Sequence, residues 1–351
     1  MADTAKRAAV ATLVIGGIVV TALALWKLKL VIALLFFAFI LAASMRPGIE
    51  ALHRRRVPRS IGLAIHYFVI AGVVALLLWL VVPRAIDQVQ SALQGDTKAH
   101  IHREAKNSKG VKHAILTAVD KRLRHLPKAG AVVPRAASIT LKAFEILIGI
   151  FFTFACAAYW TFERGRTIDF VTSLFPRPKR KKIRDTWDLI DLKLGAFVRG
   201  QLLLMLLVGT VLSLSFMAIG EPYFILVGAF AGIVEIVPVI GPLAGGALAV
   251  GVGFTHNWHT ALEAGLCVLA VRLLEDYLII PRVLGEAVGL PPLLVLISVT
   301  AVGILFGGFA VILAVPITAV IVTIVDVIVR NKDPAEEEVP TVLFAAKEAE
   351  N

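Results

Sequence analysis

The stretch from Gly220 to Gly253, GEPYFILVGAFAGIVEIVPVIGPLAGGALAVGVG, constrains this chain more than any other. It is apolar nearly throughout, yet Pro238, Gly241 and Pro242 interrupt it with Glu235 beside the break. A continuous spanning helix needs about 20 apolar residues in a row, and proline removes a backbone donor and clashes with the preceding turn. Irregular backbone at membrane depth survives only where protein buries it or where it lines a wet cavity. The sequence therefore predicts a helical hairpin with its tip at VPVIGP, the kind of Gly/Pro-interrupted segment that points to a transporter's binding site. A second stretch, Leu290 to Val329, has the same character, broken at Phe306, Gly307 and Gly308 and again at Pro316.

Composition fixes the class around these stretches. Hydrophobic residues make up 58% and charged residues 17%, and the mean hydropathy is +0.84, well beyond the soluble norm of roughly 25% charged. The expected fold is an all-α polytopic membrane protein. Its net charge of +11 falls in loops between apolar runs, which points to orientation and anionic lipid and not to nucleic acid. Cys156 and Cys267 lie inside apolar runs and read as small hydrophobes.

In chain order, residues 1–83 hold three spans: Ala8 to Trp26, Leu30 to Met45 and Ile61 to Pro83. The first is long for a signal peptide and is followed at once by another apolar run. The short loop with Arg46, Arg54, Arg55, Arg56 and Arg59 reads as cytoplasmic, and so does the N-terminus. Residues 84–138 form a polar extracytoplasmic region, in which His113 to Leu126 has helical spacing. Residues 139–199 carry a fourth span, a basic stretch from Arg164 to Arg184 and an interfacial helix on Trp187, Ile190, Leu194 and Val198. Residues 200–332 form the core: span five, the first broken hairpin, the Ala261 to Ile280 helix and the second broken hairpin. Counting crossings, the two hairpins enter from opposite faces and the C-terminus returns to the cytoplasm, followed by an acidic tail, 333–351, read as disordered.

Charged groups inside apolar spans are costly and are functional candidates. In VRLLEDYLIIP, Arg272 precedes Glu275 and Asp276 by three and four residues, helical spacing for an ion pair; the group is either a proton or cation relay or a structural pair. Glu235 has no sequence neighbour to pair with and is a candidate proton carrier. His66 reads as a hydrogen-bonded neighbour of its own helix, Lys142 and Glu145 as snorkelling groups, and Asp326 as a surface partner of Arg330. Gly228 with Gly232, Gly241 with Gly245 and Gly303 with Gly307 are four apart and suit close helix contact. No GxxxxGK[ST], HExxH or GxSxG motif is present, so ATP hydrolysis and two common hydrolase chemistries lack their usual residues. The chain reads as a transporter without cofactor or metal, not as an enzyme.

Three segments carry a resemblance: GQLLLMLLVGT from Gly200, GEPYFILVGAFAGIVEIVPVIGP from Gly220, and LLEDYLIIPRVLGEAVGLPPLLVLISVTAVGILFGGFAVILAVP from Leu273. The chain resembles the autoinducer-2 exporter family, also called PerM-like permeases. The resemblance implies about eight membrane segments, homo-oligomers and a bacterial plasma membrane. It also implies export of a small polar solute such as a quorum-sensing signal, or exchange of a monovalent cation for protons. It carries over Pro238, Gly241, Pro242, Glu275, Pro281, Arg282 and Gly285. The pattern departs at Glu235, where the family usually has an uncharged polar residue, and at Arg272, where it often has an amide; the two departures are expected to compensate one another across the site. A non-transporting membrane scaffold is the alternative from another class.

Overall fold

The computed structural model describes residues 2–93, 133–280, 290–337 and 339. The expected helix from His113 to Leu126, the Pro281, Arg282 and Gly285 motif and nearly all of the acidic tail lie outside the described residues. Among the described residues there are helices and no strands. They are α1 (Ala2–Lys27), α2 (Lys29–Arg54), α3 (Arg59–Leu93), α4 (Val133–Ser173), α5 (Arg177–Ala218), α6 (Phe224–Val234), α7 (Ile240–His256), α8 (Trp258–Leu274), α9 (Pro292–Phe306) and α10 (Ala314–Ile328). A π-turn, Glu275–Ile279, continues α8, and a 3₁₀ turn, Gly308–Leu313, leads into α10.

Among the described residues, five helical segments are long and apolar enough to cross a bilayer: Lys29–Arg54, Arg59–Arg84, Phe144–Ser173, Arg177–Ala218 and Gly308–Ile328. In the α3 segment no residue of the most apolar window is buried, and Phe68 and Trp79 are among its exposed side chains. Such a surface is stable against lipid and not against water. The protein is an all-α polytopic membrane protein.

Two helices run further than the sequence pattern suggests. Basic residues from Arg46 onward read as a loop, but α2 continues through Pro47 to Arg54. The interfacial helix and span five are one helix, α5, of 42 residues, or about 63 Å at 1.5 Å per residue. Nothing between Ile183 and Gln201 removes a backbone donor, so the charged half runs into the apolar half without a stop.

α5 is the post on which the core is built. Leu204, Val208, Leu212 and Phe216 on α5 pack with Val227 and Ala231 of α6, Ala249 of α7 and Ala264 and Val271 of α8. Nearer its basic end, Leu194 packs with Ile40 and Ala43 of α2 and Leu313 at the start of α10. Along α5, the first hairpin thus spans the levels from Phe216 to Gln201, whose side chain holds its tip. The second meets α5 at Leu194, which packs with Leu313, and at Lys193, which reaches Thr323. The tips meet: Val237 packs against Val299, Val302, Ala310 and Ala314 of the second hairpin.

Close approach needs small residues here. A Cβ on Gly232 would lie 2.7 Å from both the Met205 carbonyl oxygen and the Gly209 Cα, so α6 and α5 touch backbone to backbone, the contact that small-residue pairs permit. In the second hairpin, Gly307 takes φ 89° at the break between α9 and the 3₁₀ turn, a region that glycine occupies freely. Pro316 was expected to break the helix; instead it sits in the first turn of α10, where its missing N–H is one of the orphan donors anyway. The break lies upstream, at Gly307 and Gly308. Elsewhere, His66 Nδ1 hydrogen-bonds the Gly62 carbonyl at 2.8 Å. Asp326 is buried and not at the surface, with both Arg330 and Lys332 at 2.8 Å.

Gly232→Val should force α6 off α5. The expected outcome is a loss of about 1–3 kcal/mol, typical of overpacking, read as a lowered thermal midpoint of the purified protein in detergent. An unchanged midpoint would show that the contact yields freely.

Candidate functional site

The site forms where the tip of the first hairpin meets the end of α8. α6 stops after 11 residues, about 16 Å of helix and roughly half of a bilayer's hydrocarbon core. Pro238 cannot continue it. The chain turns through Glu235 to Val239, with Val237 N–H donating to the Val234 carbonyl at 3.0 Å and Gly241 N–H to the Val237 carbonyl at 2.8 Å.

At the apex, Val239 adopts φ 69° and ψ −52°. Ile240 N–H donates to the Pro238 carbonyl at 2.8 Å, closing a three-residue γ-turn of the rare, strained hand. A β-branched residue in this region is a genuine outlier and costs about 1–3 kcal/mol, strain that collects at functional sites. Gly241 admits the turn because a Cβ there would lie 2.1 Å from the Val234 carbonyl oxygen. From α5, the buried Gln201 donates its side-chain N–H to the Glu235 carbonyl at 2.9 Å, satisfying a carbonyl that the helix end leaves without a partner.

Across from the tip, α8 widens into the π-turn that begins at Glu275. Such turns gather at functional sites. Arg272, on the last turn of α8, reaches three carboxylates. Its Nη1 lies 3.1 Å from Glu275 Oε2 and 3.6 Å from Glu235 Oε1, and its Nη2 lies 2.9 Å from Asp276 Oδ1. Glu235 is 4% exposed and Glu275 2%, and Arg272 Nη1 lies within reach of both. Glu275 Oε1 is buried without a hydrogen-bond partner.

Beside the cluster lies a cavity of about 20 Å³ lined by Glu235, Pro242, Gly245, Gly246, Arg272 and Glu275. That is room for one water-sized species. Among the described residues, no group of three or more His, Cys, Asp or Glu side chains is placed to hold a metal ion. The arrangement suits charge exchange: with all three carboxylates ionised, one guanidinium leaves an excess of negative charge in a low-dielectric place, and a bound proton or monovalent cation reduces it.

The structure thus brings Glu235, Arg272, Glu275, Asp276 and Pro242 together, with Pro238 and Gly241 shaping the turn that presents Glu235. Gly307, Gly308 and Pro316 stay in the second hairpin, whose Val299, Val302, Ala310 and Ala314 form a cluster that Val237 of the first tip packs against. Sequence reasoning missed Gln201, whose signal was a lone amide opening an apolar run. It also missed Glu221, in the turn between α5 and α6. That residue is 2% exposed, neither of its carboxylate oxygens has a partner, and burial pushes its acid up to about 8.

A family model described as AI-2E family transporter matches residues 15–330. Two relatives come from Bacillus subtilis (strain 168). The one named "Putative transport protein YrrI" is 24% identical over 312 residues, 84% of this chain and 85% of the relative. The one named "Putative transport protein YueF" is 27% identical over 316 residues, 83% of each. The "Putative permease PerM" of Escherichia coli (strain K12) is 24% identical over 189 residues, 53% of this chain and 52% of the relative.

Two outcomes follow from the geometry. Arg272→Gln leaves buried carboxylates without their cation and should cost about 1–3 kcal/mol. Adding Glu235→Gln should recover part of the loss, a coupling of about 0.5 kcal/mol or more in a double-mutant cycle of thermal stabilities; strict additivity would deny the contact. Glu221 holds its proton more tightly folded than unfolded, so the stability it contributes is full at pH below its ordinary 4.5 and is lost as pH rises through about 8. The thermal midpoint should fall between about pH 5 and about pH 9, and Glu221→Gln should flatten that fall.

Proposed function

The chain belongs to the AI-2E transporter family, matched over residues 15–330, and from that premise we propose a secondary-active exporter of a small polar solute, coupled to protons through the cluster at the first hairpin's tip. The observation that carries this reading is Arg272 bridging Glu235 on the tip to Glu275 and Asp276 on α8.

Glu235 takes or releases the exchanged proton. When it is protonated, its pull on Arg272 weakens and the tip has less reason to stay against α8. When it is ionised, the guanidinium draws the tip back. The strained γ-turn at Val239 keeps the closed tip from being deeply stable, so a change of one charge is enough to shift the balance. Gln201 anchors the turn's backbone to α5, which makes the movement a local one about Pro238 and Gly241. The solute, of the class of quorum-sensing signals, crosses between the two hairpin tips in a state in which they separate.

A second reading, sodium/proton antiport, draws support from the size of the cavity, about 20 Å³, which admits an ion or a water and not an organic solute. A non-transporting scaffold is the reading from another class, and it needs no charge at position 235. In either transporter reading we place the protein in a bacterial plasma membrane as a homo-oligomer, with both termini and the arginine-rich loops cytoplasmic.

The test uses purified protein in sealed liposomes with a pH-sensitive dye inside, under imposed sodium, potassium or lithium gradients and, separately, a proton gradient with candidate polar solutes. Cation-driven dye response supports antiport; response only with a solute supports proton-coupled export. In either case Glu235→Gln should lower the rate by at least about tenfold, the usual loss when a proton-transferring group is removed. Equal rates in wild type and variant would remove Glu235 from coupling, and absence of flux from the wild type would favour the scaffold.

A further inference from the structure

Away from the hairpins, a cavity of about 410 Å³ opens between α2, the start of α3, α4 and α5. Its volume falls in the range of about 300–1,000 Å³ typical of ligand sites, and its chemistry is that of a binding site. Four guanidinium groups line it, from Arg46, Arg59, Arg164 and Arg166, against the three carboxylates of Glu50, Asp169 and Asp191.

Two of the four are engaged. Arg46 Nε donates to Glu50 Oε1 at 2.7 Å, and Arg164 forks across Asp188 and Asp191 of α5. Arg59 and Arg166 are exposed and have no partner among the described residues. At the other extreme, the Asp191 side chain is 2% exposed, and its Oδ1 has no hydrogen-bond partner. A buried acceptor without a donor is costly, and this one belongs to a residue that lines the cavity. The site therefore has unpaired donors at its rim and, in its buried wall, a carboxylate oxygen without a donor.

We propose that this cavity binds the headgroup of a membrane phospholipid that carries both a phosphate and a primary ammonium, as an ethanolamine headgroup does. The phosphate sits between Arg59 and Arg166, and the ammonium donates to Asp191 Oδ1 and Glu50. Three features select this chemistry. Four cations face the three lining carboxylates and Asp188, which pairs with Arg164 and Arg46, a balanced site that suits a zwitterion better than a multiply charged anion. Asp191 Oδ1 lacks a hydrogen-bond donor, which a primary ammonium supplies and a trimethylammonium group does not. Apolar surface adjoins the cavity, with Phe162 lining it and Ile61 next to Arg59, both about half exposed, giving acyl chains a place to lie. Trp160 in the wall, stacked on Trp187 at 5.8 Å, is the kind of aromatic pair found at headgroup level. The proposal does not depend on the transport reading.

The experiment titrates purified full-length protein in detergent by native mass spectrometry with phosphatidylethanolamine, phosphatidylcholine of the same acyl chains, and glycerophosphoethanolamine, which has no acyl chains. Phosphatidylethanolamine should bind about tenfold more tightly than phosphatidylcholine. The double variant Arg59→Gln with Arg166→Gln should lose about tenfold in that affinity, while its lipid-free thermal midpoint stays unchanged because neither side chain supports the fold. Equal binding of the two lipids, or full affinity in the double variant, would overturn the proposal. Glycerophosphoethanolamine binding as tightly as the lipid would show a solute site and overturn the lipid assignment.

Discussion

The Arg272 guanidinium ties together two irregular pieces of backbone at the ends of α6 and α8, helices that pack through Val227, Ala231, Ala264 and Val271. One is a hairpin tip that has given up its helix at Pro238, and the other is a helix end opened into a π-turn at Glu275. Both expose peptide groups that apolar surroundings cannot satisfy. The solution combines Gln201 on the Glu235 carbonyl, a γ-turn that consumes one N–H at the apex, and a cluster of charge that needs a cation at its centre. Remove the guanidinium and two buried carboxylates face each other unaided.

This tie is useful because of what stands around it. α5 passes beside both hairpins and packs against each at a different level, so one helix supports both. Val237 then lies directly against the second hairpin. In the proposed mechanism a shift of the first tip passes to the second through this contact, with backbone contacts such as Gly232 on Gly209 keeping α6 in line. The basic end of the same helix is fastened separately, by Arg164 across Asp188 and Asp191 and by Lys193 to Glu337 at 2.6 Å. One end is held by ion pairs, while the other packs beside the hairpin that carries the strained turn.

Much of this was legible in the sequence, and the limits were physical. The hairpin at VPVIGP and the break at Gly307 follow from residues that cannot continue a helix, and those are local properties of the chain. Arg272 with Glu275 and Asp276 follows from helical spacing, also local. The contact from Arg272 to Glu235 spans many residues of chain and appears only when the hairpin folds back; the paired departures from the family pattern pointed to it, but helical spacing could not place it. Asp191 reads as a solvated charge on an amphipathic helix until α2 and α4 close over it. Pro316 misled because proline breaks a helix interior but starts a helix well, and sequence alone did not locate the start. The continuity of α5 was missed because a change from charged to apolar composition was taken for a boundary, whereas backbone hydrogen bonds are indifferent to it.

The central claim is that the cluster on Arg272 holds an exchangeable proton on Glu235. Infrared difference spectroscopy of the protein in bilayers, stepped between acidic and alkaline buffer, observes it directly through the stretch of protonated carboxyl groups. The account predicts a carboxyl band that disappears on alkalinisation in the wild type and is missing from the difference spectrum of Glu235→Gln. Superimposable spectra from the two proteins would contradict it.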